Sequence, residues 1–125
     1  MSMLKKVLLV EDYDDLRFLM TDIISDAGYE VTAFSDGPQV LNTYQPGQYD
    51  AIVMDTQLIS RQLGYEICAE LRKIDQKVII IGMSSDPDYR ANWMEAGANT
   101  FYHKRRPQDI EGIIKLCLGD NFGRQ

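Results

Sequence analysis

Val7-Leu8-Leu9-Val10-Glu11-Asp12 sets an unbroken aliphatic run directly against two acidic side chains. A short apolar run without polar alternation is how a strand buried on both faces of a parallel sheet reads. Comparable β-branched or aliphatic runs recur at Val31–Phe34, Ala51–Met54, Val78–Met83 and Phe101–His103. The segments between them carry helical spacing. Leu16, Leu19, Met20, Ile23 and Ile24 form one stripe, begun by Asp14 and Asp15 and ended by Gly28; acidic residues suit a helix N-terminus and glycine its stop. Pro38 suits the first turn of a second helix bearing Val40, Leu41 and Tyr44. A third helix bears Tyr65, Cys68, Ala69 and Leu71. A short fourth runs from about Tyr89 to Ala96 before Gly97, and the last, from about Pro107, carries Ile110, Ile113, Ile114 and Cys117.

Strict alternation of strand and helix implies right-handed crossovers and a parallel sheet covered on both faces. The expected fold is α/β: a flavodoxin-like, doubly wound five-stranded parallel sheet of order 2-1-3-4-5 with helices on both faces. Residues 1–125 are read as one domain, with a core at about 5–118 and a short frayed tail. Such sheets bind ligands outside the carboxyl ends of their strands, at the switch between strands 1 and 3.

The strand ends are therefore the place to look. Glu11 and Asp12 end the first strand and Asp55 ends the third, directly after Ile52-Val53-Met54. Like charges brought so close disfavour ionisation unless a cation holds them. A hard divalent ion with oxygen ligands suits the set, and Mg²⁺ accepts one or two carboxylates while keeping several waters. Ser84-Ser85 ends the fourth strand and His103-Lys104 the fifth. A nucleophilic carboxylate, a metal, a hydroxyl donor and a cation together suit phosphoryl transfer, where positioning and charge neutralisation supply most of the catalysis.

Charge and composition narrow the partners. The formal net charge is −6 and the pI about 4.6, so the surface repels nucleic-acid backbones and anionic lipid. Neither direct nucleic-acid binding nor membrane attachment is expected; no apolar run approaches the ~20 residues that span a bilayer, and no signal-peptide pattern is present. Basic residues gather locally at Lys104, Arg105 and Arg106, a corner that could receive an anion or an acidic partner. Cys68 and Cys117 lack metal-binding spacing and are read as reduced thiols in a cytoplasmic protein.

Four motifs in order resemble the receiver domain of bacterial-type response regulators, along nearly the whole chain. They are Val-Leu-Leu-Val-Glu-Asp at 7–12, Asp-Ala-Ile-Val-Met-Asp at 50–55 with Gly64 beyond it, Ile-Ile-Gly-Met-Ser-Ser at 80–85, and Glu-Ala-Gly-Ala-Asn-Thr-Phe-Tyr-His-Lys at 95–104. The resemblance implies a phosphoacceptor switch in a two-component phosphorelay. Asp55 would be the nucleophile that forms an acyl phosphate. Asp12, Asp55 and the Gln57 carbonyl would hold Mg²⁺, with Glu11 assisting directly or through water. Lys104 and Ser84 would contact phosphoryl oxygens. Phe101 occupies the aromatic switch position and would turn inward as Ser84 moves, altering the surface of helix 4, strand 5 and helix 5. A histidine kinase or phosphotransfer protein would be the donor, and the chain would act as a monomer or weak dimer rather than as a classical enzyme.

The chain also departs from the pattern. Arg105 stands where many receivers have a cis-proline after the lysine, and a non-proline cis bond costs about 2.5–4 kcal/mol, so a trans peptide or rearranged loop is expected. Ser60 stands near the place of another usual proline, which leaves the Thr56–Leu63 loop less constrained. The segment after Ser84 is short, so helix 4 is expected to be stunted or displaced. Gln57 and Asp86 flank the path of a hydrolytic water, His103 is read as structural, and Trp93 as half-buried. The runner-up function is a phosphorylation-independent, receiver-like interaction module. A flavodoxin-like nucleotide binder would want a glycine-rich loop after strand 1, where Glu11-Asp12-Tyr13-Asp14-Asp15 stands instead.

Overall fold

The computed structural model describes residues 4–119. Five strands alternate with five helices: β1 Lys6–Val10, α1 Asp14–Asp26, β2 Glu30–Phe34, α2 Gly37–Thr43, β3 Ala51–Asp55, α3 Gly64–Arg72, β4 Ile79–Ser84, α4 Arg90–Glu95, β5 Thr100–His103 and α5 Asp109–Cys117. The sheet is parallel throughout and ordered β2-β1-β3-β4-β5, as the alternation predicts. Most of the expected tail, residues 120–125, lies outside the described part.

Alternate residues of each central strand feed opposite cores, which explains the unbroken apolar runs. Leu8, Val10, Ile52, Met54 and Ile80 pack with Val40 of α2, Ile67 and Leu71 of α3, and Trp93 of α4. Val7, Leu9, Val53, Ile81 and Met83 pack on the other side with Met20 and Ile24 of α1 and Ile110 and Ile114 of α5. Within α1 the buried arc is narrower than the apolar stripe. Leu19 is exposed while Met20 and Ile24 are closed off, because a stripe of adjacent positions spans a wider angle than the contact with the sheet. In α2, Leu41 is likewise partly exposed, at 37%, while Val40 is buried.

The local signals act where expected. Asp14 and Asp15 occupy the first turn of α1, and Asp36 accepts from the Gly37 amide ahead of Pro38 in α2. Gly28 and Gly97 end α1 and α4 with φ of 103° and 101°, the left-handed region that glycine enters without a Cβ penalty. Helix α4 is short: six residues, entered through a 3-10 turn at Pro87–Tyr89. The 104–105 peptide is trans, as are the other peptide bonds of the described residues. Both cysteine thiols are free, Cys68 buried and Cys117 half-buried; burial pushes the Cys68 thiol up to about 11, so it is poorly ionised.

Candidate functional site

Parallel pairing of β1 with β3, in register at Val10 and Met54, carries the next residues, Glu11 and Asp55, to one rim. One carboxylate oxygen each from Glu11, Asp12 and Asp55 lies within 4.8 Å of the others. Asp55 pairs with Met83 across β3 and β4, which brings Ser84 to the same rim. Pairing of Ser84 with His103 adds Lys104 from the end of β5, held by its amide donating to the Ser84 carbonyl at 2.8 Å.

Lys104 binds the cluster together. Its Nζ donates to Glu11 Oε1 at 3.0 Å and to Asp55 Oδ1 at 3.1 Å. Glu11, 1% exposed, also accepts from the Tyr13 amide at 3.1 Å through Oε2. Asp12 is more open than either Glu11 or Asp55. Burial, helped by the charge of Asp55, raises the Glu11 carboxyl to about 7 against the opposing pull of Lys104. Burial also raises Asp55, while Lys104 and the Thr56 amide oppose it. Burial works against the Lys104 ammonium, but Asp55 and Glu11 outweigh it and hold the group above its ordinary value. Three carboxylates thus converge where one ammonium pairs with two of them, in a partly buried setting of carboxylate oxygens. A hard divalent cation fits that donor set.

Ser84 is buried, and its Oγ accepts from the Asp86 amide at 3.0 Å. That geometry leaves the hydroxyl hydrogen available to an acceptor. Phe101 is 4% exposed and lies in the core, with the Arg90 guanidinium 5.2 Å from its ring centroid; the inward position expected for it on switching is already occupied. Gln57 opens the loop after β3 and forms an isolated bridge with Leu63. Asp86, two residues beyond β4, caps the 3-10 turn by accepting from the Asp88 amide. His103 is structural: Nδ1 accepts from Arg105 Nε at 3.1 Å, which leaves Nε2 to donate to the Ser85 carbonyl at 3.0 Å.

Trp93 corrects the sequence reading. It is wholly buried rather than half-buried. Its Nε1 donates to Thr56 Oγ1 at 2.8 Å, and Thr56 Oγ1 donates to the Met83 carbonyl at 2.8 Å. Thr56, beside Asp55 and 0% exposed, was not singled out from the sequence. The available signal was Gly82 inside an otherwise apolar strand, which marks a close approach by another group.

The response regulator receiver domain family model matches residues 7–115. The chain is 30% identical over 116 residues to a probable transcriptional regulator ycf27 of Guillardia theta, covering 91% of this chain and 45% of that protein. It is 27% identical over 117 residues to the alkaline phosphatase synthesis transcriptional regulatory protein PhoP of Bacillus subtilis strain 168, covering 91% and 48% respectively. The chain therefore spans about half the length of these curated relatives. Among solved structures, the receiver domain of the sensor histidine kinase PA1611 of Pseudomonas aeruginosa PAO1, with a magnesium ion coordinated in its active site cleft, matches with a TM-score of 0.80. That match has 28% identity and covers 93% of this chain and 98% of that one. A response regulator receiver protein, CheY-like, from Methanospirillum hungatei JF-1 shares the fold at a TM-score of 0.83 and 21% identity, covering 94% and 95%. With the family's match running from β1 into α5, this chain belongs to the response regulator receiver domains of two-component systems.

Proposed function

We propose that the chain is a phosphorylation-driven switch in which Asp55 accepts a phosphoryl group from a phosphohistidine donor, a histidine kinase or phosphotransfer protein. The carrying observation is the convergence of Glu11, Asp12 and Asp55 on one small site, with Lys104 bridging Glu11 and Asp55. A carboxylate oxygen of Asp55 attacks phosphorus; the bond to the donor imidazole nitrogen breaks, and an acyl phosphate remains. Asp12, Asp55 and the Gln57 carbonyl are the proposed Mg²⁺ ligands, with Glu11 in support. An ion held there would supply charge neutralisation for the incoming phosphoryl oxygens.

In this reading Lys104 follows the charge from Asp55 onto the phosphoryl group, and Ser84 donates its hydroxyl hydrogen to a phosphoryl oxygen. Both moves act on β4 and β5, so the readout is proposed for the surface around α4, β5 and α5, with Phe101 packed behind it. Monomer or weak dimer and a cytoplasmic setting complete the proposal; the free thiols accord with a reducing compartment. The relatives' role in transcription belongs to their full length.

The test is intact-mass analysis after incubation with a small-molecule phosphodonor, with and without Mg²⁺, beside Asp55→Asn. A single phosphoryl adduct that needs Mg²⁺ and is lost in the variant is expected. Its absence, where another receiver is labelled in parallel, would favour the phosphorylation-independent interaction module.

A further inference from the structure

An indole has one polar atom, and it can only donate. With Trp93 Nε1 donating to Thr56 Oγ1, the threonine hydrogen is left to go to the Met83 carbonyl, and both contacts are 2.8 Å. A single buried hydroxyl thus ties α4 to the residue after Asp55 and to the residue before Ser84. The Thr56 amide in turn works against the rise of the Asp55 carboxyl, and the Thr56 carbonyl accepts from the Gly64 amide at 2.7 Å.

The ring has little freedom. A Cβ on Gly82 would lie 2.1 Å from its Cδ2, and one on Gly64 would lie 2.8 Å from its Cζ2. Tyr65 packs edge-on with the centroids 6.3 Å apart. Two glycines, one on β4 and one at the start of α3, make room for an indole that reaches the strand ends from a helix of six residues. Filling space would need only the ring; the N–H serves the hydrogen-bond chain.

We propose that Trp93 is a positioning residue of the phosphoacceptor site, fixing the ends of β3 and β4 relative to each other through Thr56 and coupling α4 to the state of Asp55. This rests on the reading of Asp55 as phosphoacceptor. The site and α4 then influence each other in both directions, so a partner gripping α4 would alter phosphoryl transfer.

Rates of labelling by the phosphodonor test it in Trp93→Phe, Thr56→Val and Thr56→Ser, each normalised to folded protein and accompanied by a thermal melt. Trp93→Phe and Thr56→Val are each expected to slow labelling about tenfold, the scale of disturbed supporting hydrogen bonds. The double variant should be no slower than the worse single one, because both break one chain. Thr56→Ser keeps the hydroxyl and should stay within about twofold of the parent rate. Labelling at the parent rate in both Trp93→Phe and Thr56→Val would overturn the proposal even if their melting temperatures fall.

A second readout is independent of phosphorylation. Trp93 is the sole tryptophan, so its indole N–H gives one resonance. That resonance should exchange slowly with solvent and move on addition of Mg²⁺ alone, but not in Asp12→Ala. If the unsubstituted chain takes no phosphoryl group, the phosphoacceptor reading fails and this resonance decides the coupling. Movement with Mg²⁺ upholds it, and a resonance indifferent to Mg²⁺ overturns it.

Discussion

Lys104 Nζ lies 3.1 Å from Asp55 Oδ1, and the lysine side chain keeps only 17% of its exposure. The same ammonium reaches Glu11 at 3.0 Å, so one cation balances two nearly closed carboxylates. Removing one partner from such a set leaves the others buried without compensation. Lys104→Met is expected to lower the unfolding free energy of the metal-free protein by about 3 kcal/mol at pH 8. The loss should shrink at pH 5.5, where Glu11 can take up a proton instead. Urea denaturation at the two pH values measures it; an equal loss at both would mean that the ammonium does not balance these carboxylates.

The metal-free protein should grow less stable as pH rises through neutrality. Glu11 titrates near 7 in the folded chain, above its ordinary 4.5, chiefly because it is buried. A raised carboxyl binds its proton more tightly in the folded state. Its stabilising contribution is complete below the unfolded value and is lost as pH climbs through the folded one. Between pH 5.5 and 8 the loss is on the order of 2 kcal/mol. Glu11→Gln should flatten that slope, and saturating Mg²⁺ should flatten it too by holding the carboxylates ionised. Denaturant midpoints across the range, with chelator and with Mg²⁺, supply the comparison; a slope unchanged in Glu11→Gln would assign it elsewhere.

What the sequence made legible follows from the physics of each feature. Val7–Val10 and Ala51–Met54 announce doubly buried strands because no polar residue interrupts them, and the parallel order then places Glu11, Asp55, Ser84 and Lys104 on one rim without any further information. Trp93 was misjudged because the space that receives it is made by Gly64 and Gly82, remote in sequence and contributed by other elements. Thr56 escaped notice for the same reason: a buried hydroxyl between strand and helix is defined by partners on β4 and α4. Leu19 shares the α1 apolar stripe by periodicity, but the width of the α1 contact with the sheet leaves it exposed.

Gly82 should tolerate no side chain while Trp93 is present. A Cβ there would stand 2.1 Å from Trp93 Cδ2 and 2.5 Å from Cγ, a clash with a rigid ring pinned by its own hydrogen bond. Gly82→Ala is expected to destabilise by about 1–3 kcal/mol, the usual penalty of overpacking. Paired with Trp93→Leu, which vacates the ring, the same alanine should cost markedly less than it does alone. Thermal melts of the two single variants and the double variant measure the coupling, and strict additivity would refute the steric explanation.

The acid side of the stability profile should be set at the opposite end of the sheet. Tyr44 donates its hydroxyl to Asp75 Oδ2 at 2.5 Å, while Asp75 Oδ1 accepts from the Lys77 and Val78 amides at 2.9 and 3.1 Å. Burial alone would raise the Asp75 carboxyl, but these donors outweigh it and hold the group below its ordinary value. A depressed carboxyl contributes stability that is complete above the unfolded value and disappears as pH falls through the folded one. Tyr44→Phe removes a hydrogen bond to a charged acceptor and should cost about 2 kcal/mol at pH 7. As pH falls through the folded value the carboxylate is increasingly protonated in both proteins, so the difference between them should narrow. Paired denaturation curves from pH 7 down to the acid transition test this, and a gap that widens towards low pH would show that Asp75 is not the group through which Tyr44 acts.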